Sequence, residues 1–382
     1  MTSLTSPSTS VEVADPTSTP PPRRADRTLV ALAIVAGAAA FVVVAVNARS
    51  GAVAPRIKNV DVAGAPRPVE PLFGFDHWIA LHQIGTVVMM VTLVVAFVIG
   101  WRRRPGHPVL LMVLATTLLV WQDPIMNWAP YAVYNPQLWH FPEDWPLVRL
   151  SPTVEPFIVI GYSTFYFIGP FLGATWILRR LQARRSAESF VWRRPLVSLG
   201  LLILVVGFVM DAALEIFLVH TGLYIYSQVI PWGSVFAGTT FQFPLIWESV
   251  LVTAVMIPAG VLCYRDDTGR TQAEKMARRL RLFPKRPALA TFLVMAVILN
   301  LAYFVYGAGF AAIRASGLAT AVACPYPFPE AKVYDPQGYY ERAGAPGPYF
   351  EGHWNTWMTG QPAGRPSVNP VEEDGTCKPS RA

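Results

Sequence analysis

Charge is scarce in this chain. Of its 382 residues only 14% are Asp, Glu, Lys or Arg while 53% are hydrophobic, and the mean hydropathy of +0.37 lies far from the soluble balance. That deficit excludes an ordinary cytosolic enzyme. Lysine is scarcer still, 5 against 26 arginines, and none falls in the last apolar stretch, so a retinal Schiff base there is excluded. The three cysteines show no C-x-x-C and no Cys/His zinc spacing, which argues against a structural metal. A Gly-rich phosphate loop is absent, and so is the internal repeat from which many transporters are built.

What the chain has instead is long apolar runs, each near the roughly twenty residues a helix needs to cross a hydrocarbon core. They lie near Thr28–Val46, Ile79–Gly100, Pro108–Asn127, Pro156–Leu178, Pro195–Val219, Phe243–Tyr264 and Ala288–Ala311. The prediction is an all-α polytopic membrane helix bundle of about seven transmembrane helices over residues 28–311. A disordered cytoplasmic tail at 1–27, poor in groups to bury, precedes it. A Pro- and aromatic-rich extracytoplasmic tail at 312–382 follows, suited to lying over the membrane face.

The formal charge of +7 raises nucleic-acid binding, but the bases lie beside the spans and form no face of a folded domain. Arg23, Arg24 and Arg27 precede the first span, and Arg102, Arg103 and Arg104 fill the second-to-third link. Arg179, Arg180, Arg184, Arg185, Arg193 and Arg194 occupy the fourth-to-fifth link, and Arg265 through Arg286 supply eight more bases after the sixth. The third-to-fourth link has Arg149 alone among its bases, and His220–Gln242 has no Lys or Arg. This positive-inside pattern puts the amino terminus in the cytoplasm and the carboxyl tail outside the cell membrane, with some contact to anionic lipid and no nucleic-acid partner. The first span, followed by Gly51-Ala52-Val53-Ala54, resembles a secretory signal but is longer than a usual h-region, which favours an uncleaved anchor. Cys324 and Cys377 both fall on the oxidising side and can pair, whereas Cys263 sits at the reducing face.

Ionisable groups within spans are costly and mark function by default. At a rise of about 1.5 Å per residue, Asp211 and Glu215 lie roughly 24 and 30 Å along the fifth span, and Asp123 and Asn127 roughly 22 and 28 Å along the third. Glu248, His82, Asn300 and Tyr303 fall toward the same outer side, with Glu155 at the mouth of the fourth span and Tyr162 two turns in. A polar cavity opening outward is the economical reading. His82 and Glu155 lie close enough to the interface to be merely solvated. The i,i+4 spacing of Asp211 and Glu215 places both carboxyls on one helix face, so one of them should keep its proton; a hydrogen-bonded helix clamp explains the pair equally well. Asp123 and Asn127 share a face, with Pro124 loosening the helix between them. Trp121, Trp128, Trp139 and Trp145 read as an interfacial belt.

These residues also carry a resemblance. Asp123-Pro124-Ile125-Met126-Asn127-Trp128 looks like a D-P-x-x-N-W segment; Asp211 and Glu215 followed by Thr221-Gly222-Leu223-Tyr224 look like D-x-x-x-E ending in T-G-x-Y. Pro244-Leu245-Ile246-Trp247-Glu248 resembles P-L-x-x-E, and Arg265-Asp266-Asp267-Thr268-Gly269-Arg270-Thr271 resembles R-D-D-x-G-R-T. Together, over roughly residues 75–310, they resemble the AveC-like spirocyclase family, named for a membrane protein of avermectin biosynthesis.

The resemblance implies an enzyme that closes a dihydroxy-ketone polyketide into a spiroketal, in the founding member also influencing dehydration of the ring. That chemistry needs a proton donor, a proton acceptor, negative charge near a developing oxocarbenium ion and a cavity that fixes the chain. Asp123, Asp211, Glu215 and Glu248 are the candidate catalytic groups, with Asn127, Tyr162, His82, Asn300 and Tyr303 as substrate-binding candidates. No cofactor or metal is demanded. The rival reading is a proton-coupled transporter or lipid-handling protein using the same carboxylates; a structural membrane partner whose polar groups act only as helix glue is a third.

Overall fold

The computed structural model describes residues 72–142, 145–323, 328, 333–334 and 349–350. The run Thr28–Val46, both tails' ends, Cys324 and Cys377 lie outside the described residues, and so do the disulfide and the seventh helix that depend on them. Six helices among the described residues are long and apolar enough to cross a membrane. They are α1 (Trp78–Arg103), the span built from α2 (Pro108–Thr117) and α3 (Asp123–Trp128), α4 (Ile158–Ala183), α6 (Pro195–His220), α7 (Leu245–Cys263) and α9 (Pro287–Ala315). Two shorter helices, α5 (Phe190–Arg193) and α8 (Gln272–Arg279), lie in the links. The protein is mainly helical and its long helices are those of a membrane bundle.

Local chemistry explains the boundaries. Pro108 opens α2 beneath the His107 ring, whose Nδ1 accepts from the Val109 amide, and Pro195 opens α6, where a missing N–H costs nothing. Thr271 and Glu274 form a reciprocal capping box at the start of α8. The third span is broken at Leu118–Gln122, a 3-10 segment. Pro124 has no N–H to give to the Val120 carbonyl, and the Asp123 amide takes that carbonyl in a tighter turn instead. The break turns Asp123 and Asn127 into the bundle.

Packing depends on small residues, as expected where lipid supplies no hydrophobic drive between helices. A Cβ on Gly207 of α6 would sit 2.6 Å from Thr253 Cγ2 of α7, and one on Gly260 of α7 would sit 2.3 Å from Ile203 Cδ1 of α6. Both glycines hold the α6–α7 pair close. The core around Met112, Leu178, Leu199, Ile203, Met256 and Met295 joins α2, α4, α6, α7 and α9. Helix α1 is peripheral: His82 and Thr86 are its buried residues, and Leu81, Ile84, Val88, Val91, Val94 and Val95 face outward where lipid would lie.

The arginine-rich links meet at one end. Arg265 Nη2 contacts His107 Nε2 at 2.9 Å, and Arg179 Nη2 donates to the Arg265 carbonyl at 3.0 Å. At the other end β1 (Ala132–Tyr134) pairs antiparallel with β2 (Tyr224–Tyr226), joining the links after α3 and α6 in a small cap. Beyond it, β3 (Gln228–Val229) pairs with β4 (Ala321–Val322), and β5 (Val333–Tyr334) runs parallel to β6 (Tyr349–Phe350). Trp121, Trp139 and Trp145 are exposed, whereas Trp128 packs against the core.

Candidate active site

Beneath the β1–β2 cap lies a cavity of about 60 Å³ walled by α3, α4, α6, α7 and α9. Its polar wall is acidic and phenolic: Asp123, Glu215 and Glu248 beside Tyr166, Tyr226, Tyr303 and Tyr306. Among the described residues no Lys, Arg or His lines it.

Each carboxyl on the wall is held by a tyrosine from another segment. Tyr303 donates to Asp123 Oδ1 at 3.0 Å, and Tyr306 to Glu248 Oε1 at 2.7 Å. Tyr166 donates to Glu215 Oε1, while Tyr226 approaches Glu215 Oε2 at 3.3 Å. Tyr303 and Tyr306, one turn apart on α9, stack with centroids 5.6 Å apart, which fixes both hydroxyls. Burial, then the Glu215 charge, pushes the Tyr226 phenol well above its usual range, so it remains a donor. Glu248 Oε2 is buried on the cavity wall with no hydrogen-bond partner among the described residues.

A second carboxyl stands behind Asp123. The Asn127 amide donates to Asp123 Oδ2 at 3.1 Å and to Glu155 Oε2 at 2.9 Å, and Ser151 Oγ donates to the same Glu155 oxygen at 2.6 Å. Burial, with the Asp123 charge beside it, pushes the Glu155 carboxyl well above the ordinary range. The sequence places Glu155 at the mouth of the fourth span, level with the other polar groups or merely solvated at the interface; the structure leaves it 1% exposed, against the solvated reading. The reason is the link after β1, which folds back so that the Glu155 carbonyl accepts from Phe141 N–H and the side chain turns inward.

The remaining candidates are distributed differently. Asp211 is fully buried one turn below Glu215, with the side chains of Ser249 and Tyr166 beside its carboxyl. It does not line the cavity. Asn300 also stands apart: its Oδ1 accepts from Trp121 Nε1 at 2.8 Å and Gln122 Nε2 at 2.7 Å, bracing the break before Asp123. His82 joins α1 to the end of α6 through Thr221 Oγ at 2.9 Å. Since the Thr221 hydroxyl hydrogen goes to the Leu218 carbonyl, the His82 ring is the donor. The side chain of Tyr162 lies outside the described residues.

Tyr166, Tyr226 and Tyr306 join the cavity although the sequence reading passed over them. The available signal was helical spacing: Tyr166 follows Tyr162 by four residues and Tyr306 follows Tyr303 by three. Among the described residues no group of three or more His, Cys, Asp or Glu side chains is placed to hold a metal ion.

No curated protein and no solved structure matches the chain. The family model described as Spirocyclase AveC-like matches residues 101–334, more than half of the sequence and a stretch containing every carboxyl and tyrosine of the cavity. The broken third span, the paired acids and the tyrosines that hold them are thus features of a chain that belongs to the AveC-like spirocyclase family.

Proposed function

We propose that this protein is a cofactor-independent membrane cyclase that closes a hydroxy-ketone, polyketide-like or lipid-like substrate into a spiroketal under acid catalysis. The observation that supports this most directly is the convergence of Asp123, Glu215 and Glu248 on one cavity whose described lining has no cation. Carboxyls crowded together away from water cannot all be ionised, so the wall holds protons and negative charge side by side. Acid-catalysed loss of water with capture of an oxocarbenium ion uses both.

In this reading a substrate hydroxyl adds to the ketone carbonyl to give a hemiketal. The Asp123–Glu155 pair gives a proton to the hemiketal hydroxyl, which leaves as water. Ionised Glu215 or Glu248 steadies the cation, and the second hydroxyl attacks it, losing its proton to a carboxylate. Glu248 suits that last role, since Tyr306 holds Oε1 while Oε2 is open on the wall. Asn127 cannot present amide hydrogens to the substrate, because both go to carboxyls; its carbonyl oxygen is what remains to orient a hydroxyl. At about 60 Å³ the cavity takes the reacting oxygens and not a whole polyketide, so the carbon chain extends outside it.

Placing the arginine-rich end in the cytoplasm puts the cavity beneath the outer leaflet of the cell membrane, where an apolar substrate arrives from the bilayer. The test is purified protein in detergent with a linear ketodiol. Spiroketal formation faster than the uncatalysed background supports the cyclase. Binding without turnover, with uptake only in sealed vesicles, would replace it with a proton-coupled transporter.

A further inference from the structure

A second and much larger cavity, about 620 Å³, lies at the arginine-rich end, away from the carboxyl cluster. It sits between α8, the connection to α9 and the first turn of α9, with Pro105 and Gly106 of the α1–α2 link forming another wall. We propose that this cavity seats the phosphate headgroup of an anionic phospholipid.

Three features converge on that ligand. Arg278 and Arg281 line the cavity, and neither has a carboxylate partner among the described residues, where the ion pairs are Lys275–Asp266 and His77–Asp76. Guanidinium groups in that state match a phosphate, which can take two parallel N–H donors from each. The acid on the wall, Glu274, is already engaged: its Oε2 accepts from the Thr271 amide at 2.7 Å and from Thr271 Oγ at 2.9 Å. Pro287 and Ala288 bring the first turn of a 29-residue helix to the same space, with its positive dipole end and N–H groups that lack intrahelical acceptors.

The enclosing wall is specific. Gly106 has φ of +73°, and a Cβ there would lie 2.9 Å from the Ala288 Cβ, so the α1–α2 link closes against α9 only because the residue is glycine. A lipid is favoured over a soluble phosphate by the rest of the lining, where Leu282, Pro284, Pro287 and Ala288 stand on the same wall as the arginines. They offer an apolar surface to the glycerol end of the acyl chains next to a basic headgroup seat, at the level where the links leave the bilayer.

The experiment uses the full-length protein, delipidated and placed in phosphatidylcholine nanodiscs with and without phosphatidylglycerol; bound lipid is counted by native mass spectrometry. The wild type should retain phosphatidylglycerol over phosphatidylcholine, and the pair Arg278→Ala with Arg281→Ala should weaken that retention by about tenfold or more. A control pair, Arg102→Ala with Arg103→Ala, removes the same charge outside the cavity and should bind as wild type. Equal retention by the cavity pair and the wild type overturns the site, as does equal loss in the control pair. Inorganic phosphate and glycerol phosphate are titrated separately; displacement of the lipid by either at comparable affinity would make the ligand a soluble phosphate and overturn the lipid assignment. Melting in phosphatidylcholine alone reports folding. If the alanine pair melts early, Arg278→Lys with Arg281→Lys is read in its place: it keeps the charge and loses the fork, severalfold weaker retention is expected, and unchanged retention overturns the site.

Discussion

Asn127 and Glu155 meet through a 2.9 Å hydrogen bond across 28 residues of chain, and the same Asn127 amide holds Asp123 at 3.1 Å. One side chain thereby ties a carboxyl of its own helix to one carried by the connection before α4. Asn127→Leu removes both donors and leaves two buried acceptors short of a partner, each worth about 1–3 kcal/mol. Denaturation in mild detergent should show a loss of roughly 2–5 kcal/mol on that basis, together with lost turnover. Unchanged stability would mean the amide does not join the pair.

The Glu155 carboxyl sets a pH dependence of folding. Its folded value is raised, by burial first and by the Asp123 charge second. The native state therefore holds a proton that the unfolded chain releases near the ordinary carboxyl value. Stability from this group is fully present below that value and declines as pH rises toward the raised one. Glu155→Gln should flatten the decline, giving a melting temperature that falls less between weakly acidic and neutral buffer than that of the wild type. A parallel decline in both proteins would contradict the assignment.

Glu248→Gln keeps the Tyr306 contact but removes the proton-accepting carboxylate at the open oxygen of the cavity wall. Cyclisation of a ketodiol should fall by roughly 100-fold or more, the usual range for loss of a general acid or base, at normal membrane levels. Tyr306→Phe should lower it less, since the carboxyl stays and only its orientation suffers.

Asp211 lies below the cavity, not on it. Asp211→Asn should cost less than about tenfold in turnover, well short of a general acid or base loss. A loss as large as that of Glu248→Gln would bring Asp211 back among the catalytic groups.

His82 clamps α1 to the end of α6 through Thr221. His82→Phe leaves a buried hydroxyl with one partner fewer and should lower stability by about 1–2 kcal/mol, with turnover per folded molecule unchanged. A selective loss of turnover would show that the clamp shapes the cavity.

The spans were legible because a hydrocarbon core demands long uninterrupted apolar runs, and α1, α4, α6, α7 and α9 fall within a few residues of the runs seen in the sequence. Pro124 announced the break in the third span, since a missing N–H can be read from one letter. Asp123, Glu215, Glu248 and Tyr303 were legible as polar groups in apolar helices, and the structure brings all four to one cavity. The solvated alternative for Glu155 fails because depth counted from the start of a span says nothing about a connection that folds back. Asn300 and His82 were placed at a suitable depth and still serve other contacts, because depth fixes height along the bundle and leaves the direction of the side chain open.

By itself, then, the sequence determined a membrane-embedded helical chain with acids held at one level and arginines gathered in alternate links; these follow from transfer energies summed along single segments. Which acids share a cavity was decided only when the helices packed. Gly207 and Gly260 set how closely α6 approaches α7, the 3-10 break rotates Asp123 and Asn127 inward, and the returning link delivers Glu155. Those outcomes depend on contacts between residues far apart in the chain, which no window along one segment contains.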